Sequence, residues 1–172
     1  MVIFRRPRPE KRARKPRKPI RRGNRPRRQR KSSPAALKRK LWGLLRAYVA
    51  DAWGDRCFTC GAGPLEGINR HTGHFINAGK SLAVRYAPDN LRTQCGRCNV
   101  WQRGNIAEFS LRLLDQIGEE KLRTLLRRSR VIVSLKASDV REMIEALERG
   151  GADYELYWEQ TFGPRLDALG KV

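Results

Sequence analysis

Apolar residues between positions 37 and 49 recur at the spacing of one helix face. They stand at i, i+4, i+7 and i+8, whereas the basic residues of this stretch fall mostly elsewhere on the surface. Ser33 is suited to an N-cap and Pro34 to the first helical position, and Gly54 supplies a stop. The pattern predicts an amphipathic helix from Pro34 to Gly54 with one apolar face, formed by Leu37, Leu41, Leu44, Leu45, Tyr48 and Val49.

Helical periodicity returns after residue 105. The apolar positions predict a helix that ends near Gly118 and a second helix directly after it. Val131-Ile132-Val133 predicts a short strand, and Ser138 is the expected cap of a third helix that Gly150-Gly151 closes. The chain then becomes aromatic, and we expect these residues to dock on the core: Tyr154, Tyr157, Trp158 and Phe162.

The stretch from Cys57 to Asn99 has a different texture. It contains five glycines between positions 61 and 79 and several short polar runs. Such punctuation predicts tight turns and a hairpin rather than long elements. We therefore expect an α+β fold in which a small ββα unit, at about 55–120, is flanked by helices, with a helical C-terminal region over 121–172.

The charge divides the chain into a tail and a folded domain. Of the net charge of +21, residues 1–31 supply +15, because they hold 16 Lys and Arg against Glu10 alone. Five prolines and few apolar residues exclude a packed core there, so we expect residues 1–33 to be a disordered nucleic-acid-binding arm and residues 34–172 the domain. The alternatives are a solubility tail or a nuclear address. The candidate phosphate contacts in the arm are Arg5, Arg6, Arg21, Arg22, Arg27 and Arg28.

The composition also limits the partners and the compartment. A strong excess of positive charge favours a polyanionic partner, and DNA is the expected one. An anionic membrane surface would also attract this charge, but we expect DNA and no membrane as the partner. No run of about 18 apolar residues is present, which predicts no transmembrane segment. No apolar stretch follows the first positive charges as in a secretory signal, so we expect a cytoplasmic protein.

Four cysteines fall into two C-x-x-C pairs. Cys57 and Cys60 form one and Cys95 and Cys98 the other, with 34 residues between the pairs. Two such turns supply four soft ligands for a tetrahedral ion, and the long gap leaves room for a hairpin, as in a treble clef. Disulfides or unligated thiols are the alternative. We expect a structural Zn²⁺ with a closed shell and no position for reacting water.

Polar residues of the types that serve in catalysis and metal binding lie before and after the second cysteine pair. His71 and His74, the two histidines of the chain, lie between the pairs, and Asn90 precedes the second pair. Asn99 directly follows Cys98. Two histidines in a glycine-rich loop could be ordinary polar residues, but that interpretation leaves the asparagine beside the last cysteine unexplained.

This combination of motifs resembles the phage NinG/Rap recombination proteins, HNH (ββα-metal) nucleases that cut branched DNA such as Holliday junctions. The similarity covers roughly residues 55–120, and a more distant one is to phage endonuclease VII, which also nests a histidine between two cysteine pairs. The residues that carry it are Cys57, Cys60, Gly73-His74-Phe75, Arg85-Tyr86, Asn90, Gln94-Cys95, Cys98-Asn99 and Gly104-Asn105.

The resemblance implies a role for each matching residue. His74 matches the general base, and Asn90 matches the asparagine that orients this base. Asn99 matches a ligand of the catalytic divalent metal. His71 departs from the family, which usually has aspartate there as the other metal ligand. The catalytic metal is Mg²⁺ or Mn²⁺, and an imidazole ligand suits Mn²⁺ better than the harder Mg²⁺. Arginines near these residues are candidate phosphate clamps: Arg85, Arg92, Arg97 and Arg103.

Three functions are compatible with these features. The first is a metal-dependent endonuclease selective for branched DNA in phage recombination or packaging, acting as a homodimer through its C-terminal helices if it cuts symmetrically. The second is a non-catalytic zinc-binding protein that binds DNA or RNA as an architectural or regulatory factor. The third is an HNH nicking enzyme that acts on ordinary duplex. Histidine and asparagine at these spacings favour catalysis, since a pure binding module has no use for them.

Overall fold

The computed structural model describes residues 32–170. This part of the chain contains five α helices and one two-stranded sheet, joined by short helical turns. The fold is therefore α+β, as the sequence predicts. The elements are α1 (Pro34–Trp53), β1 (Arg70–His74), β2 (Leu91–Cys95), α2 (Ile106–Arg128), α3 (Ala137–Arg149), α4 (Gly151–Tyr157) and α5 (Gly163–Leu169), and the turns are Gly67–Asn69, Pro88–Asn90, Arg97–Trp101 and Trp158–Phe162.

Helix α1 begins and ends as its sequence predicts. The hydroxyl of Ser33 accepts a hydrogen bond from the backbone N–H of Ala36 at 3.2 Å, and Pro34 opens the first turn. Gly54 follows the helix with a φ of 65°, a left-handed conformation that favours glycine. The guanidinium of Arg70 donates to the carbonyls of Ala50 and Gly54, so the first residue of β1 is bonded to the end of α1. This contact fixes the hairpin against the helix.

Strands β1 and β2 form an antiparallel hairpin despite the long loop between them. His71 lies opposite Gln94, and His74 lies opposite Leu91. The buried amide of Gln94 crosses the hairpin and donates to the carbonyl of Gly104 at 2.8 Å. It passes so close to Gly73 that a Cβ there would stand 2.0 Å from its oxygen. Glycine at position 73 is thus required by packing.

The C-terminal region follows the predicted helices with two corrections. Helix α2 is broken at Gly118, whose φ of 79° and ψ of 164° separate the two predicted helices. The strand predicted at residues 131–133 is wrong, because this segment has no strand partner in residues 32–170. Ser138 is not the cap of α3 either. The helix begins at Ala137, so the cap position is Lys136, two residues before Ser138, and the Asp139 carboxylate accepts from the backbone N–H of Lys136 at 2.8 Å.

One hydrophobic core joins the helices to the hairpin. The aromatic C-terminal segment docks on it as expected, with Tyr154, Trp158 and Phe162 all buried. Tyr154 also donates its hydroxyl to the backbone carbonyl of Tyr86 at 2.6 Å. The C-terminal helices therefore hold the loop between the strands. The principal core residues are Leu37, Leu41, Leu45, Val49, Val84, Leu91, Phe109, Leu113, Leu125, Val140, Met143, Ile144 and Leu166.

Among the helices of residues 32–170, none combines the length and the apolar character that a membrane crossing requires.

Candidate metal centre and active-site groove

The four cysteines converge although 34 residues separate the two pairs. Their sulfur atoms all lie within 4.8 Å of one another, and those of Cys60 and Cys95 are 3.8 Å apart. A tetrahedron of sulfurs with Zn–S bonds of about 2.3 Å has edges of about 3.8 Å. The cluster therefore has the size and the donor set of a structural zinc site. It is the one cluster of three or more His, Cys, Asp or Glu groups found in residues 32–170.

The electrostatics of the cluster also fit a cation. Burial raises the pKa of Cys57, but hydrogen bonds from the Thr59 hydroxyl and from backbone N–H groups outweigh it and lower the pKa to about 6. A backbone N–H group of Ala62 lowers the pKa of Cys60, but burial and three neighbouring sulfurs raise it to about 12. The Cys57 thiolate thus forms easily, whereas ionisation of the neighbouring Cys60 thiol has a high free-energy cost. A bound divalent cation removes this conflict, because it stabilises all four thiolates.

His74 stands at the end of β1 with its ring held on two sides. Its Nε2 lies 3.1 Å from the carbonyl oxygen of Arg85, to which it donates. Its ring is parallel to that of Trp42, with centroids 5.5 Å apart. Burial lowers the pKa of His74 from 6.5 to about 4, although the hydrogen bond to Arg85 opposes this shift. The imidazole is therefore neutral at physiological pH, and Nδ1 carries the free lone pair.

Asn90 holds the loop that carries this carbonyl. The residue is fully buried, and its Oδ1 accepts from the N–H of Ile76 at 2.7 Å. Its Nδ2 donates to the carbonyl of Ile76 at 3.1 Å and to that of Val84 at 2.9 Å. Val84 precedes Arg85, so one amide joins the start of the loop, at Ile76, to the segment whose carbonyl accepts from His74. The hydrogen bonds of the Asn90 side chain all go to backbone, and its geometry is that of a positioning residue.

His71 and Asn99 meet across the hairpin. The amide Nδ2 of Asn99 lies 3.1 Å from Nδ1 of His71. Asn99 belongs to the helical turn Arg97–Trp101, which also carries Cys98, so the cysteine cluster determines where this amide stands. An imidazole nitrogen and an amide oxygen are both ligand atoms for a divalent cation. Half a turn of the Asn99 amide group places its Oδ1 where its Nδ2 now stands.

A surface groove connects His74 with Asn99. It has a volume of about 820 Å³, and His74 and Asn99 both line it. Two cationic side chains, Lys80 and Arg103, lie along it, and the described residues that line it include no carboxylate. The groove is thus able to receive an anionic chain beside the imidazole and the amide.

The four predicted phosphate clamps divide into three groups. Arg97 and Arg103 are exposed, and Arg103 lines the groove. Arg85 is half-buried, with its guanidinium 5.6 Å from the centre of the Tyr86 ring. Arg92 is a correction, because its side chain is fully buried and cannot reach a phosphate.

The environment of Arg92 explains its burial. Its guanidinium stacks 4.0 Å from the centre of the Trp53 ring and donates to the carbonyls of Pro88 and Leu91. Burial lowers its pKa to about 10, which leaves it charged. Arg92 therefore fastens β2 to the end of α1. The six arginines predicted in the tail, at positions 5, 6, 21, 22, 27 and 28, lie outside the described residues.

Two residues of the site were missed from the sequence. Trp42 belongs to α1, 32 positions before the ring on which it stacks, and the helical pattern gave no sign of this contact. Lys80 stands in the loop between the strands, where a single lysine carries no motif. Only the fold brings Trp42 against His74 and places Lys80 along the groove.

The fold and the site define a small α+β protein stabilised by a four-cysteine cluster beside a basic groove. Compared with known families, the chain matches NinG, the bacteriophage lambda NinG protein, over residues 5–150. This match spans most of the sequence, so the chain belongs to the NinG family, a phage family associated with recombination. Comparison with curated proteins and with solved structures gave no match.

Proposed function

We propose that the protein is a metal-dependent DNA endonuclease of the HNH type, selective for branched DNA such as Holliday junctions in phage recombination or packaging. One observation carries the proposal. His74 and Asn99, which lie on different elements, line a single groove, and His71 contacts Asn99 within hydrogen-bond distance. Membership in NinG supports the connection to phage recombination, and the groove's cationic lining supports an anionic substrate.

His74 is the proposed general base. Its Nε2 is occupied by the carbonyl of Arg85, so Nδ1 is the atom that accepts a proton. A pKa of about 4 keeps the ring neutral, and the negative charge of a bound phosphodiester raises the pKa towards neutrality, where proton transfer is efficient. As water attacks phosphorus, its proton passes to Nδ1 and the bond to the 3′ oxygen breaks. The departing oxygen takes a proton from solvent.

His71 and Asn99 are the proposed ligands of the catalytic metal. A divalent cation supplies charge against the developing negative charge of the transition state and orients the scissile phosphate. Two protein ligands leave room for phosphate oxygens and water. Because an imidazole replaces the carboxylate that Mg²⁺ prefers, we propose Mn²⁺ as the more effective ion and Mg²⁺ as the weaker one.

Cleavage of defined substrates tests the proposal. Purified protein is incubated with four-way, flap and linear DNA in Mg²⁺, in Mn²⁺ and without divalent metal. We expect cleavage of branched DNA, and a fall of at least about 10²-fold in His74→Ala, because the base is lost. Zinc content and DNA affinity are the controls, and both should stay unchanged in this variant. His71→Asp should shift the preference towards Mg²⁺, since a carboxylate is the harder donor.

A second function competes with the first. A non-catalytic zinc protein that binds DNA or RNA needs neither the base nor the second metal, and the departure at His71 favours it. It predicts tight binding without cleavage in any metal, and no effect of His74→Ala beyond affinity. Equal cleavage by wild type and His74→Ala would instead retain the enzyme and refute the assigned base.

Symmetric cutting of a four-way junction requires two active sites. We propose a homodimer that associates through the C-terminal helices α3, α4 and α5. Sedimentation of the protein with and without junction DNA measures this association directly.

A further inference from the structure

Trp101 is a large apolar side chain left almost entirely in solvent. It is 84% exposed and ends the helical turn Arg97–Trp101, two residues after Asn99. The other tryptophans, at positions 42, 53 and 158, are at least partly buried. Scattered apolar residues on a surface are ordinary, but Val100, which directly precedes Trp101 in the chain, is apolar and exposed as well. Val100, Ile106 and Leu126 are also exposed, and all three line the groove that contains His74.

The surroundings of Trp101 are those of a nucleic-acid contact. Arg97 and Arg103, both exposed, stand four positions before it and two after it. The described residues that line the neighbouring groove include a further cation, Lys80, and no carboxylate. An aromatic side chain flanked along the chain by two cationic ones has the groups that a base and its phosphates require, because the ring stacks on the base while the cations neutralise the backbone.

The turn that carries Trp101 has a fixed position. Cys98 belongs to the cysteine cluster, and the carbonyl of Cys98 accepts from the N–H of Gly104 at 2.9 Å, which closes the turn. Residues 103 to 105 all have positive φ, so the chain reverses here before α2 begins. The backbone that carries Trp101 is thus fixed before DNA binds, so stacking requires ordering of the side chain alone, which limits its entropy cost.

We propose that Trp101 stacks on the open face of a base at the branch point of DNA. Bases of a continuous duplex are stacked on their neighbours on both sides, and their faces are closed to an exposed ring. At a branch, a flap or a mismatch, one face becomes available. Stacking there discriminates branched from linear DNA and places the adjoining phosphate near His74 and Asn99. This inference rests on the proposed action on branched DNA, but it concerns binding and is separable from cleavage.

The test measures binding under conditions that prevent cleavage. The full chain, in Ca²⁺ instead of Mg²⁺ or Mn²⁺, is titrated with a four-way junction that carries 2-aminopurine at the branch, and with linear duplex of the same sequence. We expect Trp101→Ala to weaken junction binding by about 10- to 100-fold, which is the usual size of one stacked base, and to leave duplex binding unchanged. In Trp101→Ala, the change in 2-aminopurine fluorescence that stacking causes on binding should be absent.

Two further variants make the result specific. Trp101→Phe keeps an aromatic face and should restore most of the junction preference. Ile132→Ala is the matched control, because Ile132 is also a large apolar side chain in solvent, 97% exposed, but belongs to the segment between α2 and α3 and not to the turn that follows Asn99. It should bind both DNAs as wild type does.

Several outcomes would overturn the inference. Equal losses on junction and duplex would make Trp101 a general DNA contact, and an unchanged junction affinity would remove it from the interface. A conversion of dimer to monomer in Trp101→Ala, seen by sedimentation without DNA, would assign the apolar surface to a second copy of the chain. Absence of cleavage in Mg²⁺ and Mn²⁺ would refute only the proposed nuclease, since binding in Ca²⁺ requires no chemistry.

Discussion

Replacing Asn90 with alanine tests how the loop beside His74 is held. The side chain of Asn90 makes three hydrogen bonds to backbone, one to the N–H of Ile76 and two to the carbonyls of Ile76 and Val84. The bond to Val84 is fully buried, and the other two are partly accessible. Alanine removes all three and adds no partner.

The expected cost follows from these environments. A buried carbonyl left without a donor costs about 1–3 kcal/mol, and a hydrogen bond lost where water can enter costs about 0.5–1.5 kcal/mol. Asn90→Ala should therefore lower the free energy of unfolding by about 4 kcal/mol. Displacement of the Arg85 carbonyl by about 1 Å would also misplace His74 and reduce cleavage by about 10²-fold.

Urea unfolding of the zinc-loaded protein measures the free energy of unfolding. NMR of the two histidine imidazoles of the chain shows whether Nε2 of His74 keeps its hydrogen bond. Asn77→Ala is a matched control in the same loop, because Asn77 is exposed and its Oδ1 accepts only from the N–H of Gly79. It should cost less than about 1 kcal/mol. If both variants lose the same stability, Asn90 does not hold the loop. If only Asn90→Ala is destabilised but His74 keeps its Nε2 hydrogen bond and cleavage rate, the positioning argument is refuted.

Three further predictions concern zinc, pH and the tail. Cys57→Ser should lose zinc and cooperative unfolding together, because structural zinc contributes about 10–16 kcal/mol of apparent binding energy; full zinc content in this variant would contradict the site. The unfolded chain protonates His74 near pH 6.5 and the folded one near 4, so the free energy of unfolding should fall by roughly 3 kcal/mol as pH drops through this window. His74→Ala should remove most of that fall. Deletion of residues 1–31 should flatten the salt dependence of DNA binding by about 0.9 in log–log slope per lost phosphate contact, whereas an unchanged slope would exclude the tail from the interface.

Local signals in the sequence predicted the helices well. The cap at Ser33, the stop at Gly54 and the break at Gly118 all follow from the chemistry of one or two residues, and the structure has each of them. The prediction at Ser138 was wrong, since two polar residues in that segment compete for the cap and the carboxylate of Asp139 bonds the backbone instead. The strand at 131–133 was wrong because β-branched residues form a strand only where another strand can pair with them.

The site was predictable to the extent that its residues carry a motif. The spacing of the cysteines implied that they converge, and the resemblance to NinG placed His71 and Asn99 together, as the structure does. The burial of Arg92 was not predictable, because an arginine on a strand is equally able to point to solvent. What decides its position is the ring of Trp53, which lies on another element.

The sequence by itself determined the kind of fold, the four-cysteine cluster and the family, because spacing, caps and breaks are properties of neighbouring residues. Only the tertiary structure decided which polar groups face the groove. It brought Trp42 onto His74, the carbonyl of Arg85 onto Nε2, and the amide of Asn90 into the loop. These contacts join residues far apart in the chain, and their formation depends on how α1, the hairpin and the C-terminal helices pack around one core.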